Sequence, residues 1–304
     1  MESQAKGIPV ILDTDIGDDI DDTWALALLL RCPELDVRLI VSSTGNTEYR
    51  AAIIARMLEV EGRTDIPVGI GIKQSSSQGR QAPWVASYKL DSYPGIIRRD
   101  GISAIIETVE KSPVPLTLIC IGPLSNIAEV LRRAPHVAGK TRLVGMLGSI
   151  RRRRAEYNVR RDIKSCQDVF RAPWLKVTIT PQDTCGRVRI SGPEYATVAG
   201  SRDPLAMAVI ENYRIWLNGE SDTESSILFD TVAVHLAHSN EFLDIKKMRL
   251  RITDEGFTVK DRHGTWANVA LSWVSLDAFG KKLVERLTSE GQAGQLKEYK
   301  NRRC

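Results

Sequence analysis

Cysteine and histidine are scarce in this chain, and neither is spaced for chemistry that depends on it. Five cysteines among 304 residues, at positions 32, 120, 166, 185 and 304, include no Cys-x-x-Cys pair, which argues against a disulfide framework and a cysteine-bound zinc. They are expected to be buried small hydrophobes, with Cys304 free at the terminus. Of four histidines, only His235 and His238 stand one helical turn apart, a pattern that serves packing more often than a metal. No apolar run approaches the roughly 18 residues of a membrane span, and the N-terminus has no apolar signal segment. A cytoplasmic protein with no membrane contact is the expectation. An excess of one charge is also lacking: 42 basic residues face 38 acidic ones, for a net +4, too little to imply nucleic acid without a local patch. The local patch that exists is Arg151, Arg152, Arg153 and Arg154, followed by Arg160 and Arg161.

Aspartate, by contrast, is abundant in one place. Asp13, Asp15, Asp18, Asp19, Asp21 and Asp22 fall within ten residues. Like charges this dense raise one another's pKa and cost free energy unless a proton or cation intervenes. An apolar run of strand length, residues 8–12, precedes the cluster, and an apolar run suited to a buried helix, residues 24–30, follows it. The carboxylates therefore sit where a first strand hands over to a first helix, the place at which open α/β sheets bind ligands. Hard oxygen ligands there suit Ca²⁺ or Mg²⁺ better than zinc.

Strand-like runs recur at 37–42, 66–69, 116–121, 141–147 and 176–180, separated by stretches of helical periodicity such as 51–61 and 102–111. This alternation predicts an open, Rossmann-like α/β fold with a mixed, mostly parallel sheet flanked by helices. Near the C-terminus, 248–253 and 257–260 read as an antiparallel pair, followed by 266–274 and a last helix from Leu276. A hydrophobic content of 42% supports a sizeable core, and no repeat or linker interrupts it, so residues 1–304 read as a single domain. Residues 74–95, polar and aromatic without clear periodicity, look like a lid or binding flap.

Five motifs lie at the ends of predicted strands: Asp13-Thr-Asp15-x-Gly with the later Asp-Asp-x-x-Ala-Leu, Thr44-Gly45-Asn46, Ile121-Gly122-Pro-Leu-Ser-Asn126-Ile, Glu156-Tyr-Asn158, and Asp230. In this order they resemble the inosine-uridine nucleoside hydrolase family, from residue 8 to about residue 285. The resemblance implies a Ca²⁺-dependent hydrolase that splits the N-glycosidic bond of a ribonucleoside through a metal-held water. It assigns the metal to Asp15, Asp22, Asp230 and the main-chain carbonyl of Ile121, and the general-base role to Asp15. The ribose would be read by Asp21, Asn46, Glu156 and Asn158, and the 2′-deoxy sugar rejected. It also implies a homodimer or homotetramer acting on a small-molecule ribonucleoside. Trp84, Tyr88 and Tyr213 are the candidate base-stacking residues, each equally suited to ordinary packing, and Phe229 is a further candidate substrate contact. Asn46 suits a turn as well, since Gly-Asn is turn chemistry, Asp230 suits a helix cap, and Asn126 reads as structural.

The chain departs from the family pattern in four places. Five residues separate Asp15 from Asp21, a longer gap than the family motif has, so the Asp18-Asp19 and Asp21-Asp22 pairs compete for one role. The second pair is favoured because the Ala-Leu of the helix follows it. Phe229 stands where purine-cleaving members often carry a histidine that aids the leaving group. Before Glu156, arginines replace small polar residues near the ribose 5′ end. They form a solvated basic turn or, alternatively, receive a 5′ phosphate. After Asn158 the sequence runs Val-Arg-Arg-Asp162 instead of the family's acidic run. Two other readings weigh less: a non-catalytic ribosyl-binding relative, and a haloacid-dehalogenase-like phosphotransferase, whose Asp-x-Asp motif does not continue with Gly17.

Overall fold

The computed structural model describes residues 7–289; Cys304 lies outside them. One sheet of ten strands organises the fold. The strands are β1 (Ile8–Thr14), β2 (Leu35–Ser42), β3 (Val68–Ile70), β4 (Ile97–Arg98), β5 (Leu116–Cys120), β6 (Thr141–Met146), β7 (Lys176–Thr180), β8 (Leu243–Ile252), β9 (Thr258–Lys260) and β10 (Thr265–Trp273). Their order across the sheet is β4-β3-β2-β1-β5-β6-β7-β10-β8-β9. All pairings from β4 to β7 are parallel, β10 runs parallel to β7, and β8 and β9 close that edge antiparallel. The mixed, mostly parallel sheet expected from the alternation is present.

Parallel strands are covered on both faces, which is why their sequences read as continuous apolar runs. In β1, Val10 and Leu12 pack into one layer with Trp24, Ile53, Met57 and Leu283. Ile11, pointing the other way, joins Leu39, Leu118, Ile127 and Val169 in the second layer. Helix α1 (Asp21–Leu30) is buried along its whole length, and beyond its first turn it is apolar all round rather than amphipathic. Helix α2 (Thr47–Glu61) ends on Gly62 in the left-handed conformation, the C-terminal arrangement glycine permits. The final helix, Leu276–Thr288, starts where its sequence placed it.

The chain leaves β1 toward β2 on one side, while β5 pairs with β1 on the other. The order of strands therefore reverses at β1, and a crevice opens outside the carboxyl ends of β1 and β5. The aspartate run follows β1, and Ile121 follows β5. Within 74–95, residues 81–93 are more tightly bound than a lid, while 74–78 stand exposed. Trp84 is buried and donates to Glu211, the Tyr93 hydroxyl donates to the Ile66 carbonyl, and buried Gln81 donates to Thr23 and Asn212. No helix among the described residues is long and apolar enough to cross a membrane.

Candidate active site

Two turns carry the acidic residues into the crevice. Gly17 has φ near 115°, and a β-carbon there would meet the Tyr49 ring at 2.7 Å, so the loop after β1 can fold tightly against α2 only at glycine. Arg50, buried on α2, fixes the same loop by donating to the carbonyls of Thr44 and Ile16 and to the Asp18 carboxylate at 2.7 Å. Asp18 is thus a partner of Arg50 and half-exposed. Asp19 accepts the Ile20 N–H at 2.8 Å and steadies the entry to α1. Asp21 and Asp22 occupy the first turn of α1, where unpaired N–H groups and the helix dipole favour negative charge. All four line one cavity, Asp21 and Asp22 buried and Asp18 and Asp19 at its exposed rim.

Asp13 points away from the opening, toward a structural amide. Asn126 donates to its carboxylate at 2.7 Å and to the Ser42 carbonyl at 3.1 Å, and accepts the Ile72 N–H at 3.0 Å. One amide therefore ties β1, β2 and β3 to the turn after β5. Replacing Asn126 by Ala strands a buried carboxylate, a carbonyl and an amide N–H. Urea denaturation is expected to show a loss of roughly 2–4 kcal/mol, since each stranded group costs about 1–3 kcal/mol and some regain water. Unchanged stability would show that the amide carries no such load.

At the cavity floor, the carboxylates of Asp21, Asp22 and Asp230 lie within 4.8 Å of one another, all buried. Asp230 arrives at the start of the helix Thr231–Leu236. The Thr14 hydroxyl donates to Asp22 at 2.5 Å. Asp15 lines the same cavity and packs against Gly122, where a β-carbon would stand 2.8 Å from its Oδ1. Gly122→Ala is therefore expected to displace Asp15 and to lower turnover more than stability. A variant with full turnover would show that the floor tolerates the shift.

Burial pushes Asp15 up to about 6, and its acidic neighbours add to the effect against the pull of Arg50. Burial also drives Asp21, Asp22 and Asp230 well above the ordinary carboxylate range, reinforced by their mutual repulsion. Glu156 is pushed up to about 7 by burial, although three backbone N–H groups, those of Gly148, Asn158 and Val159, hydrogen-bond to it. A floor of oxygen donors with this unfavourable charge density suits a hard divalent cation, which removes the repulsion and accepts the lone pairs. Ile121 lines the same cavity, and its carbonyl accepts from Asn158 at 3.0 Å, which uses one of its two lone pairs.

The family profile described as inosine-uridine preferring nucleoside hydrolase matches residues 10–282. The chain belongs to that family. Among curated members of this nucleoside hydrolase family, the pyrimidine-specific ribonucleoside hydrolase RihA of Citrobacter koseri is 27% identical, over 71% of this chain and 73% of its own length. RihA of an Enterobacter species is 28% identical, over 67% and 69%. Solved nucleoside hydrolases share the fold. The plant enzyme PpNRh1 superposes with a TM-score of 0.79 at 20% identity, covering 93% of this chain and 99% of its own. The inosine-uridine preferring enzyme of Bacillus anthracis gives 0.76 at 17% identity, covering 92% and 99%. As a member of the family, the chain is an N-glycosyl hydrolase acting on ribonucleosides.

In this nucleoside hydrolase the cavity, about 440 Å³, brings together most of the residues picked from sequence. Asp15, Asp21, Asp22, Ile121, Glu156, Asn158, Phe229 and Asp230 all line it. The carboxylate trio includes Asp21, which the resemblance gave to the ribose, and does not include Asp15. Four candidates are not in the cavity wall. Asn46 caps α2, accepting the Tyr49 N–H and donating to the Ser76 carbonyl. Trp84 is buried under Arg56, and Tyr88 packs half-buried against the core. Tyr213 packs edge-on against Trp24, with its hydroxyl donating to the Glu224 carbonyl. The aromatic wall consists instead of Tyr157, Trp216 and Phe229, with Arg80 and Gln182 as further polar groups. Tyr157 sits inside the Glu-Tyr-Asn motif, and Trp216 one turn beyond Tyr213 on the helix Pro204–Leu217; both were visible as neighbours of chosen residues. His235 and His238 lie elsewhere, packed edge to face, with Cys32, Glu34, Lys282 and Arg286 around a separate cavity.

Proposed function

We propose that this chain hydrolyses the N-glycosidic bond of a ribonucleoside to free base and ribose, with Asp15 as general base and Ca²⁺ as the cation. The observation carrying this reading is the buried floor of Asp15, Asp21, Asp22 and Asp230 beneath an aromatic wall. Asp15, Asp22, Asp230 and the Ile121 carbonyl are the groups that would hold the ion. A bound divalent cation would supply Lewis acidity, lowering the pKa of water and orienting it. Cleavage of the C1′–N bond builds positive charge on the sugar, and a floor of carboxylates favours that charge over the neutral ground state. Asp15 accepts the proton of the attacking water. Asn158 spends its amide N–H groups on the Ile121 and Met146 carbonyls, leaving its Oδ1 to accept a ribose hydroxyl. Asp21 and Glu156 read the remaining hydroxyls. Asn46 would join them only if its bond to Ser76 opened.

The base would stack on Tyr157, Trp216 and Phe229. No imidazole lines the cavity, so the donors available to a departing base are the Tyr157 hydroxyl, the Arg80 guanidinium and the Gln182 amide. The cytoplasmic location, single-domain organisation and homodimer or homotetramer assembly are further parts of the proposal, and light scattering tests the last. The deciding experiment is a panel of uridine, cytidine, inosine, 2′-deoxyuridine and p-nitrophenyl riboside, with released base and sugar identified by mass. Ribosides are expected to be cleaved, and the deoxy analogue slowed by roughly 10⁴-fold, because buried acceptors lose their hydroxyl. Equal rates for ribose and deoxyribose, or no released sugar from any riboside, would overturn the proposal.

A further inference from the structure

A second cavity, about 540 Å³, adjoins the first, and both are lined by Gln182 and Phe229. Arg151, Arg152, Arg154 and Arg187 line it. Arg153 turns aside, its guanidinium 5.1 Å from the centre of the Phe257 ring. The one carboxylate in this basin, Asp183, is already committed: it accepts the backbone N–H groups of Ile150 and Arg151 and the Ser149 hydroxyl, and so fixes the shape of the arginine loop. Several arginines elsewhere on the surface find carboxylates, as Arg63, Arg99, Arg132, Arg189, Arg214 and Arg251 do. None of the four basin arginines has an ion pair among the described residues. These four arginines come from two separate segments, 151–154 and 187, and line one concave surface beside the candidate active-site cavity.

We propose that this basin is a phosphate subsite, and that the substrate is an N-riboside bearing a phosphate ester at C5′. The inference rests on the ribonucleoside-hydrolase reading above. If the 2′,3′-diol faces the carboxylate floor, the 5′ oxygen is the ribose hydroxyl left to carry a phosphate toward the basin. Guanidinium forks match the phosphate oxygens, while the acidic floor repels a dianion, so charge alone sorts the two ends of the substrate. The reaction stays balanced: water adds its oxygen to C1′, the C1′–N bond breaks, the base leaves with a proton, and ribose 5-phosphate is released with its ester intact.

Two measurements test the subsite on the full chain. The first compares kcat/KM for uridine and uridine 5′-monophosphate in the wild type and in the double variant R152Q/R187Q, whose exposed side chains hold no structural bond. The phosphorylated substrate is expected to be favoured at least tenfold, and the double variant to lose that preference while its uridine turnover is unchanged. The second measures binding of ribose 5-phosphate, ribose and inorganic phosphate by calorimetry, which needs no turnover. Ribose 5-phosphate is expected to bind at least tenfold tighter than either alternative, with an advantage that falls as salt rises and disappears in the variant. If this binding holds while no riboside is cleaved, the hydrolase reading fails and the subsite stands. Equal binding of ribose and ribose 5-phosphate, inorganic phosphate binding as tightly as the sugar phosphate, or a variant that slows both substrates alike would overturn the subsite.

Discussion

Asp15→Asn is expected to lower kcat on a ribonucleoside by about 10²- to 10⁴-fold, the usual worth of a positioned general base. The substitution keeps the shape of the side chain, so its contact with Gly122 survives. It removes one of several crowded buried charges, and the cation-free variant is therefore expected to be at least as stable as the wild type. A fall in activity without a fall in melting temperature would place the effect in the chemistry rather than in the fold. The base works only when ionised, and burial holds Asp15 up at about 6. Cation-limited activity is thus expected to fall as pH drops through about 6, and saturation with Ca²⁺ should shift that limb lower by favouring the carboxylate. A kcat within tenfold of wild type at saturating cation would remove Asp15 from the base role.

The parts of the fold legible in sequence were those set by local periodicity. β1, β5, β6 and β7 are buried on both faces and read directly as apolar runs, and the reversal of strand order at β1 put the aspartates outside its carboxyl end. Element boundaries moved where polar residues belong to an element for tertiary reasons. α1 begins at Asp21 rather than at Trp24, because the carboxylates occupy its first turn, and α2 begins at Thr47, capped by Asn46. The aromatic wall was the least legible part. Tyr213 and Trp216 lie on one helix, and which of them faces the cavity depends on how that helix crosses the sheet, which no local pattern encodes. Within 74–95 the aromatics lack a shared periodicity because Trp84 and Tyr93 fill separate gaps in the core and Tyr88 packs half-buried against it, while 74–78 stand exposed. Arg187 joined the basic patch only through folding, since 33 positions separate it from Arg154 in sequence.

The cation is expected to act on stability as strongly as on rate. Asp21, Asp22 and Asp230 are buried with raised pKa values, so between the ordinary carboxylate pKa of about 4 and their folded values the native state binds more protons than the unfolded chain. Stability of the cation-free protein must then fall as pH rises across that interval. In the presence of a chelator, the melting temperature is expected to be highest near pH 5 and to decline toward pH 8. Ca²⁺ at about 100 times its dissociation constant adds about 2.7 kcal/mol, or roughly 4 °C for a chain of this size, and removes most of that decline. At pH 5 the gain should shrink, because protons compete for the same oxygens. Asp230→Asn separates this account from a general salt effect: the variant is expected to gain stability in chelator at pH 8 and to lose most of the response to Ca²⁺. Scanning calorimetry of both proteins at pH 5 and pH 8, each in chelator and in Ca²⁺, checks the four responses. A wild-type response to Ca²⁺ that is the same at both pH values, or one that Asp230→Asn leaves intact, would show that the ion is held elsewhere and that the acidic floor carries its charge without it.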